Sequence, residues 1–141
     1  VGFVFQAYNL IPVLSAEENV EFVMLLQGVP KNERQERSRA ILDDVGLSGM
    51  YNRRPAELSG GQQQRVAVAR AIVSDPAMVL ADEPTANLDS KTGESLLTMM
   101  REMNEKKGVT FIFSTHDRMV MEYARRLVQL KDGRIAGEEK H

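Results

Sequence analysis

The stretch AMVLADEP, Ala77–Pro84, decides the fold of this 141-residue chain. It is a nearly continuous apolar run that ends in two acidic residues. An amphipathic segment over Ser90–Lys106 and a second apolar run, VTFIFST at 109–115, follow it. Short apolar strands that alternate with amphipathic helices are typical of a parallel sheet covered by helices on both faces. The sequence therefore predicts an α/β fold, which continues with a helix over Asp117–Arg126 and a last strand, LVQLKDGRI, at 127–135.

The amino-terminal half has the pattern of one further strand and three helices. VGFVF at 1–5 has the β-branched and aromatic residues of a strand. SAEE at 15–18 matches a capping box, so a helix is expected to begin near Ala16. A second helix is expected over Lys31–Val45, and a third begins at Ser59.

This order of elements predicts two regions. Residues 1–12 and 76–141 are expected to form a lobe that contains the sheet. Residues 13–75 are expected to form a mostly helical subdomain inserted between those two segments.

The composition excludes several classes of partner. The 18 basic and 20 acidic residues give a net charge of −2, so we expect no nucleic acid partner. The chain has no cysteine, which fits a reducing compartment such as the cytoplasm. Its apolar runs, such as FVMLL at 22–26, are far shorter than the roughly 20 residues that span a bilayer.

Two acidic residues, Asp82 and Glu83, end the AMVLAD strand, where parallel sheets bind their ligands. One carboxylate there can hold Mg²⁺, usually through water, because this ion keeps much of its hydration shell. The next carboxylate can position a water molecule as a nucleophile. We therefore take Asp82 as a metal-binding residue and Glu83 as a general base. A buried strand whose acids only cap the following segment is the alternative.

His116 and Gln6 follow two other predicted strands. The carboxyl ends of parallel strands meet at one edge of a sheet, so His116 and Glu83 can converge on one bound group. The Gln6 amide is placed to contact both a metal and a water molecule. A structural histidine, a helix-capping Asp117 and a merely polar strand end are the alternatives.

The stretch LSGGQ places two glycines, Gly60 and Gly61, at the start of a predicted helix. Ser59 and Gln62 form the S-x-x-Q of a capping box, which an ordinary helix start explains. The glycines are poor helix formers and need another reason. Bare backbone would let another molecule reach the free amides, which together with the helix dipole favour an anion such as phosphate. Phosphate contact and a plain helix cap both stay open.

Taken in order, Gln6, LSGGQ, MVLADEP, NLD and STHD resemble the ATP-binding subunit of ABC transporters. The resemblance covers essentially the whole chain. It implies a P-loop NTPase fold of the RecA-like type with an inserted α-helical signature subdomain. It also implies a subunit that binds and hydrolyses ATP with Mg²⁺ to power transport. The runs at 8–20 and 80–89 look most like the lipoprotein-releasing and macrolide-export branch.

The resemblance implies a role for each residue at the sheet edge. Gln6 matches the Q-loop glutamine, a contact of Mg²⁺ and water that also senses the membrane partner. Asp82 matches the Walker B aspartate, Glu83 the catalytic glutamate and His116 the switch histidine.

The resemblance also implies partners. The signature motif contacts ATP held by an opposite subunit, which implies a homodimer or a paired nucleotide-binding subunit. Asp89, which could also simply cap the next helix, matches the D-loop aspartate that links the two sites. A permease subunit would hold the protein on the cytoplasmic face of the membrane. The matching signature residues are Leu58, Ser59, Gly60, Gly61 and Gln62.

The sequence departs from the family in one respect. The phosphate loop G-x-x-x-x-G-K-[ST] does not occur in it, nor does the aromatic residue that stacks on adenine. We therefore expect a fold that is incomplete at the amino end and cut just before Gln6. For the chain alone we expect no tight ATP binding and no turnover. We also expect an unpaired edge beside the His116 strand, which invites self-association.

Two other functions compete with the transporter interpretation. A chromosome-maintenance or repair ATPase shares these motifs, but it would need a long coiled coil between Gln6 and Leu58, where no sustained heptads occur. The other is a non-enzymatic interaction module, in which the helical subdomain docks on a membrane subunit without hydrolysis.

Overall fold

The computed structural model describes residues 1–124, 126–131 and 134–140. The described residues form five strands and five α-helices. A short 3-10 helix over Pro55–Glu57 lies in a segment that was expected to be a loop. In chain order the strands and α-helices are β1 (Gly2–Val4), α1 (Ala16–Leu26), α2 (Lys31–Asp44), α3 (Gly60–Ile72), β2 (Met78–Asp82), α4 (Ser90–Lys107), β3 (Thr110–Ser114), α5 (Arg118–Tyr123), β4 (Arg126–Lys131) and β5 (Arg134–Lys140).

The first three strands form a parallel sheet in the order β1-β2-β3. Val4 is level with Ala81, and Ala81 is level with Phe113. All three strands therefore end at the same edge, as the alternation of strands and helices predicts. Within the described residues, β3 pairs with β2 alone and is therefore an edge strand of the sheet.

Capping boxes set the starts of two helices, as predicted. The Ser15 hydroxyl accepts from the Glu18 amide at 3.1 Å, and the Glu18 carboxylate accepts from the Ser15 amide at 3.0 Å. Ser59 and Gln62 repeat this arrangement at the start of α3. Such caps satisfy backbone donors that have no partner inside the helix. The second helix ends one residue earlier than expected, with Val45 as its C-cap.

The core lies on one face of the parallel sheet. Val4, Val79 and Ala81 point to the same side because side chains alternate along a strand, and all three are buried under α3 and α4. On the opposite face Phe3 and Ile112 share a row and are 49% and 47% exposed. The expectation of helices on both faces is therefore wrong for the described residues. Every helix that crosses between β1, β2 and β3 packs on the same side, as right-handed crossovers between neighbouring parallel strands require.

Helix α3 connects the two expected regions. It contacts β1 on one side and α1, α2 and α4 on the others. The buried apolar residues form one continuous cluster from Val4 to Val120. The division into a lobe over 1–12 and 76–141 and a subdomain over 13–75 stays a prediction.

The carboxyl-terminal strand differs from the prediction. The sequence LVQLKDGRI was expected to form one strand of the sheet, but it contributes to two, β4 and β5, which pair antiparallel with each other. A hairpin satisfies the backbone groups of both strands locally, and Asp-Gly between apolar runs is a common hairpin signal. Helix α5 is also shorter than expected, because it ends at Tyr123.

None of the helices in the described part of the chain combines the length and apolar character needed to cross a bilayer.

Candidate functional site

Four predicted site residues lie at the edge where the three parallel strands end. Asp82 is the last residue of β2, and Glu83 follows it. Gln6 comes two residues after β1, and His116 two residues after β3. The register of the sheet therefore brings these residues to one side of the molecule, as the sequence predicts.

Glu83 is the most constrained residue of the site. Its backbone has a φ of 45°, in the left-handed region that residues other than glycine seldom adopt. Its amide donates to the Ser114 carbonyl at 2.8 Å. Its carboxylate accepts from the His116 amide at 3.0 Å and from the Thr115 hydroxyl at 3.2 Å. The carboxylate is thus held across the end of β3.

The other three side chains face solvent. Asp82, Gln6 and His116 are exposed, and the position of Gln6 is fixed through its backbone, where Asn87 donates to the Gln6 carbonyl at 3.1 Å. A carboxylate and a side-chain amide supply the oxygen ligands that Mg²⁺ prefers. No group of three or more His, Cys, Asp or Glu side chains in the described residues could hold a metal alone. The donor set therefore fits a Mg²⁺ that is bound together with phosphates and water.

The hydroxyl of Thr115 connects Glu83 to α5. It donates to Glu83 and accepts from the Asp117 amide at 2.9 Å. The Asp117 carboxylate caps α5 at Met119 and accepts from the buried Thr85 hydroxyl at 2.8 Å. The alternative of a helix-capping Asp117 is therefore correct, and the same residue also braces the turn after Glu83. Neither Thr115 nor Thr85 was predicted from the sequence as a site residue.

Arg70 of α3 holds the loop that carries Gln6. Its guanidinium donates to the Asn9 carbonyl at 2.8 Å and to the Tyr8 carbonyl at 3.0 Å. Burial of the guanidinium lowers the pKa of Arg70 from its ordinary value. No sequence pattern indicates this contact, since both acceptors are backbone carbonyls about sixty positions away.

The start of α3 is less open than expected. The Ser59 side chain is exposed, but Gly60 is half-buried and Gly61 is buried. A Cβ on Gly61 would lie 2.5 Å from Cγ2 of Thr92, and a Cβ on Gly60 would lie 2.9 Å from the Tyr8 hydroxyl oxygen. Glycine at 61 is therefore required by packing inside the chain, which corrects the expectation of bare backbone held out for another molecule at both positions.

The remaining signature residues divide between core and surface. Leu58 is a buried core residue, so its side chain is unavailable to a ligand. Gln62 is half-buried, and its side chain closes the capping box of Ser59. Asp89 is the N-cap of α4 and accepts from both the amide and the hydroxyl of Thr92. The expectation that Asp89 could cap the next helix is therefore correct.

A cleft of about 290 Å³ lies beside the start of α3. Ser59, Gly61 and Gln62 line it together with two basic side chains, Arg65 and Lys91. A larger cleft of about 470 Å³ shares these two residues but also contains Asp43, Asp44, Glu94 and Glu102. The smaller cleft is the better anion site of the two, because its only charged side chains are positive.

The parallel sheet and the site at its carboxyl edge indicate the class of protein to which the chain belongs. The structure is similar to P-loop ATP-binding cassettes. Over 99% of its length the chain matches a solved structure of the cassette MJ0796, which is described as a "post-hydrolysis state" bound to ADP and Pi. The TM-score is 0.82 and the identity 45%, and the match covers 62% of the MJ0796 chain. The chain also matches cbiO1 of Clostridium perfringens with a TM-score of 0.92 and 30% identity, covering 99% of this chain and 56% of that one.

The family follows from the sequence comparison. The family model "ABC transporter" matches residues 1–86, which is more than half of the chain. The protein therefore belongs to the ABC transporter family, as the motifs indicated.

Named relatives agree with this assignment. The chain is 50% identical over 99% of its length to an ABC transporter ATP-binding protein of Thermotoga maritima, and covers 59% of that protein. It is 46% identical over 96% of its length to the lipoprotein-releasing system ATP-binding protein LolD of Syntrophus aciditrophicus, covering 60% of it. It is 46% identical over 99% of its length to the macrolide export protein MacB of Sodalis glossinidius, covering 21% of it. The chain thus spans less than two thirds of each of these relatives.

Proposed function

We propose that this chain is part of the ATP-binding subunit of an ABC transporter, which hydrolyses ATP to power transport. One observation carries the proposal. Gln6, Asp82, Glu83 and His116 follow three neighbouring parallel strands and lie at one edge of the sheet, with the Glu83 carboxylate fixed between them.

In this proposal Glu83 is the general base of hydrolysis. It accepts a proton from the water molecule that attacks the γ-phosphorus of ATP, and the products are ADP and inorganic phosphate. His116 contacts the γ-phosphate from the neighbouring strand. Asp82 and Gln6 are the residues that would hold the Mg²⁺ that accompanies the nucleotide. When bound, this ion neutralises charge that develops on the phosphates.

The start of α3 is proposed to contact ATP held by a second subunit. The exposed Ser59 and the backbone of Gly61 line a cleft whose basic residues are Arg65 and Lys91. A positively charged cleft at a helix N-terminus suits a phosphate group. A solved structure of the related cassette MJ0796 is described as dimeric, which supports a paired arrangement. Asp89, at the start of α4, accepts hydrogen bonds from Thr92, which lines this cleft, and we propose that it links the two sites.

A permease subunit is the proposed membrane partner. The loop after β1 and helix α1 expose large apolar side chains at Val13, Phe22, Leu25 and Leu26. Adjacent exposed apolar side chains are typical of protein interaction sites. Relatives named as LolD and MacB belong to lipoprotein release and macrolide export, and MacB is named as a combined ATP-binding and permease protein. We propose that the subunit lies on the cytoplasmic face of the membrane through this contact.

The test of the proposal is Glu83→Gln in the full-length protein. ATP hydrolysis is expected to fall by roughly 10²-fold or more, because the base is lost. ATP binding and ATP-dependent dimer formation are expected to persist, because the amide keeps the shape of the side chain. Phosphate release and light scattering measure the two properties.

Glu36→Gln is the matched control, since Glu36 is an exposed glutamate on α2 far from the sheet edge. It should hydrolyse ATP like the unmodified protein. Hydrolysis by Glu83→Gln at the unmodified rate would remove Glu83 from the proposed role.

A further inference from the structure

Gln64 of α3 is a buried amide that binds two segments of the proposed site. Its side chain is fully buried in the middle of the helix. Nε2 donates to the Pro84 carbonyl at 2.7 Å and to the Phe5 carbonyl at 3.1 Å. A side-chain amide carries two N–H donors, so one group can serve both acceptors.

The two acceptors are the chain neighbours of proposed site residues. Phe5 directly precedes Gln6, and Pro84 directly follows Glu83. Because a peptide unit is planar, fixing the Phe5 carbonyl restricts the position of Gln6. The Pro84 carbonyl lies on the other side of Pro84 from Glu83, but the proline ring fixes φ of Pro84, so holding this carbonyl also restricts the backbone directly after Glu83.

The other end of the amide has no such partner. Within the described residues Oε1 of Gln64 is buried without a hydrogen bond. An unpaired buried carbonyl oxygen is unfavourable, and an apolar side chain of similar size would avoid the cost. The two N–H donors are therefore the chemical property that favours glutamine over methionine or leucine at this position.

Helix α3 also begins at the residues proposed to contact ATP of the second subunit. Ser59 lies five residues before Gln64, which is roughly 7 Å along a helix with a rise of 1.5 Å per residue. A helix transmits a displacement of its first turn to the next as a nearly rigid body. Any movement of Ser59 toward a bound phosphate is thus carried to Gln64.

We propose that Gln64 is a positioning residue, which sets Gln6 and Glu83 for hydrolysis according to the position of the start of α3. This inference rests on the proposed function. The inference also extends the proposed function. It assigns to the Gln64 side chain the link between the residues that contact the second subunit's ATP and the residues that hydrolyse ATP.

The test is Gln64→Met in the full-length protein, with ATP hydrolysis measured as kcat and KM. Methionine fills a similar volume without a donor. We expect kcat to fall by about tenfold or more while KM for ATP changes by less than about threefold, since the nucleotide still binds but the reacting groups are displaced. The melting temperature is expected to fall by only a few degrees, because the Phe5 and Pro84 carbonyls lose their donor while the unpaired Gln64 oxygen is removed.

Gln27→Met is the matched control, because Gln27 is an exposed amide at the end of α1 and lies outside the site. It should leave kcat and KM unchanged. If Gln64→Met does not fold, Gln64→Leu also removes both donors without adding a charge, and the same fall in kcat is expected. Gln64→Met or Gln64→Leu with kcat within about twofold of the unmodified value would overturn the inference.

A double variant separates positioning from loss of structure. If Gln64 acts through the Gln6 loop, Gln64→Met should cost less in a Gln6→Ala background than alone, because the group it positions is already removed. Equal costs in both backgrounds would contradict a link through Gln6. An unmodified protein that does not hydrolyse ATP would overturn the proposed function and this inference together, whereas loss of hydrolysis in Glu83→Gln but not in Gln64→Met overturns this inference alone.

Discussion

Glu83 occupies a backbone conformation that few side chains tolerate. A non-glycine residue in the left-handed region costs about 1–3 kcal/mol, and such strain persists only when surrounding contacts impose it. Here the contacts are the bond of its amide to Ser114 and the two bonds that its carboxylate receives from Thr115 and His116. This backbone conformation directs the Glu83 carboxylate toward the end of β3, where it accepts hydrogen bonds from Thr115 and His116. The conformation thus supports a functional role for this residue.

Asp89 gives a prediction about pH at the scale of a single residue. Hydrogen bonds from the Thr92 amide, and then from the Thr92 hydroxyl, lower the pKa of Asp89 below its ordinary value. A carboxyl whose pKa is lower in the folded state adds stability above its unfolded pKa of about 3.9 and loses it as the pH falls through the folded value. We expect Asp89→Asn, measured by denaturant unfolding, to lose less stability than the unmodified protein between about pH 4 and pH 2.

The control for this experiment is the same protein at pH 7. Asparagine is as good an N-cap as aspartate, so the two proteins should be similarly stable there. Asp89→Ala removes the cap and should be less stable at pH 7. Parallel acid profiles for the unmodified protein and Asp89→Asn would show that the lowered pKa does not contribute.

The residues of the site differ in how far sequence could predict them. Asp82, Glu83 and His116 were predictable because each follows an apolar strand, and parallel strands end at one edge. Gln64 and Arg70 were not, because their acceptors are backbone carbonyls distant in sequence and every residue has such a carbonyl. The packing of Gly61 on Thr92 was also hidden, since it depends on how closely two helices approach.

The contact between α3 and α4 gives a prediction at the scale of the elements. Gly61 lets the first turn of α3 approach Thr92, and an added methyl group would overlap its Cγ2. We expect Gly61→Ala to reduce the free energy of unfolding of the full-length protein by about 1–3 kcal/mol, as overpacking commonly does. Chemical denaturation measures the change.

A second substitution isolates the cause. Thr92→Ser removes the obstructing methyl group and keeps the hydroxyl that donates to Asp89. Gly61→Ala combined with Thr92→Ser should therefore recover most of the lost stability. Gly60→Ala is the matched control, because its nearest neighbour is the end of the Tyr8 side chain, which can move. Equal losses in all three variants would point to backbone conformation instead of the methyl contact.

Elements with local signals were predicted well. The starts of α1 and α3 were correct because a capping box is a short-range pattern. The carboxyl-terminal hairpin was missed because LVQLKDGRI was read as one apolar run, although Asp132-Gly133 within it is a typical turn sequence. These two residues lie outside the described part of the chain.

The open face of the sheet leads to a prediction about the whole molecule. Phe3, Phe5 and Ile112 are exposed on that face, and Phe3 stacks on Phe5 with 5.9 Å between ring centroids. Exposed apolar patches and unpaired strand edges favour association. We expect the 141-residue chain alone to self-associate in a concentration series followed by sedimentation velocity, and to show no ATP turnover.

Two lysine substitutions test whether the face is responsible. Ile112→Lys places a charge on it and should shift the chain toward monomer. Ala40→Lys is the control, because Ala40 is exposed on α2 and belongs to neither of the exposed apolar surfaces. A stable monomer at every concentration, or an equal effect of both substitutions, would contradict the prediction.

The pairing of Gly2 with Val79 has a consequence for synthesis on the ribosome. Strand β1 leaves the exit tunnel before β2, its partner in the sheet, has been translated, and the interval lasts seconds at about 5–20 residues per second. Helices form within microseconds, so α1, α2 and α3 can assemble during that wait. During that interval β1 lacks its pairing with β2, so Phe3 and the backbone groups of the strand are open to a chaperone.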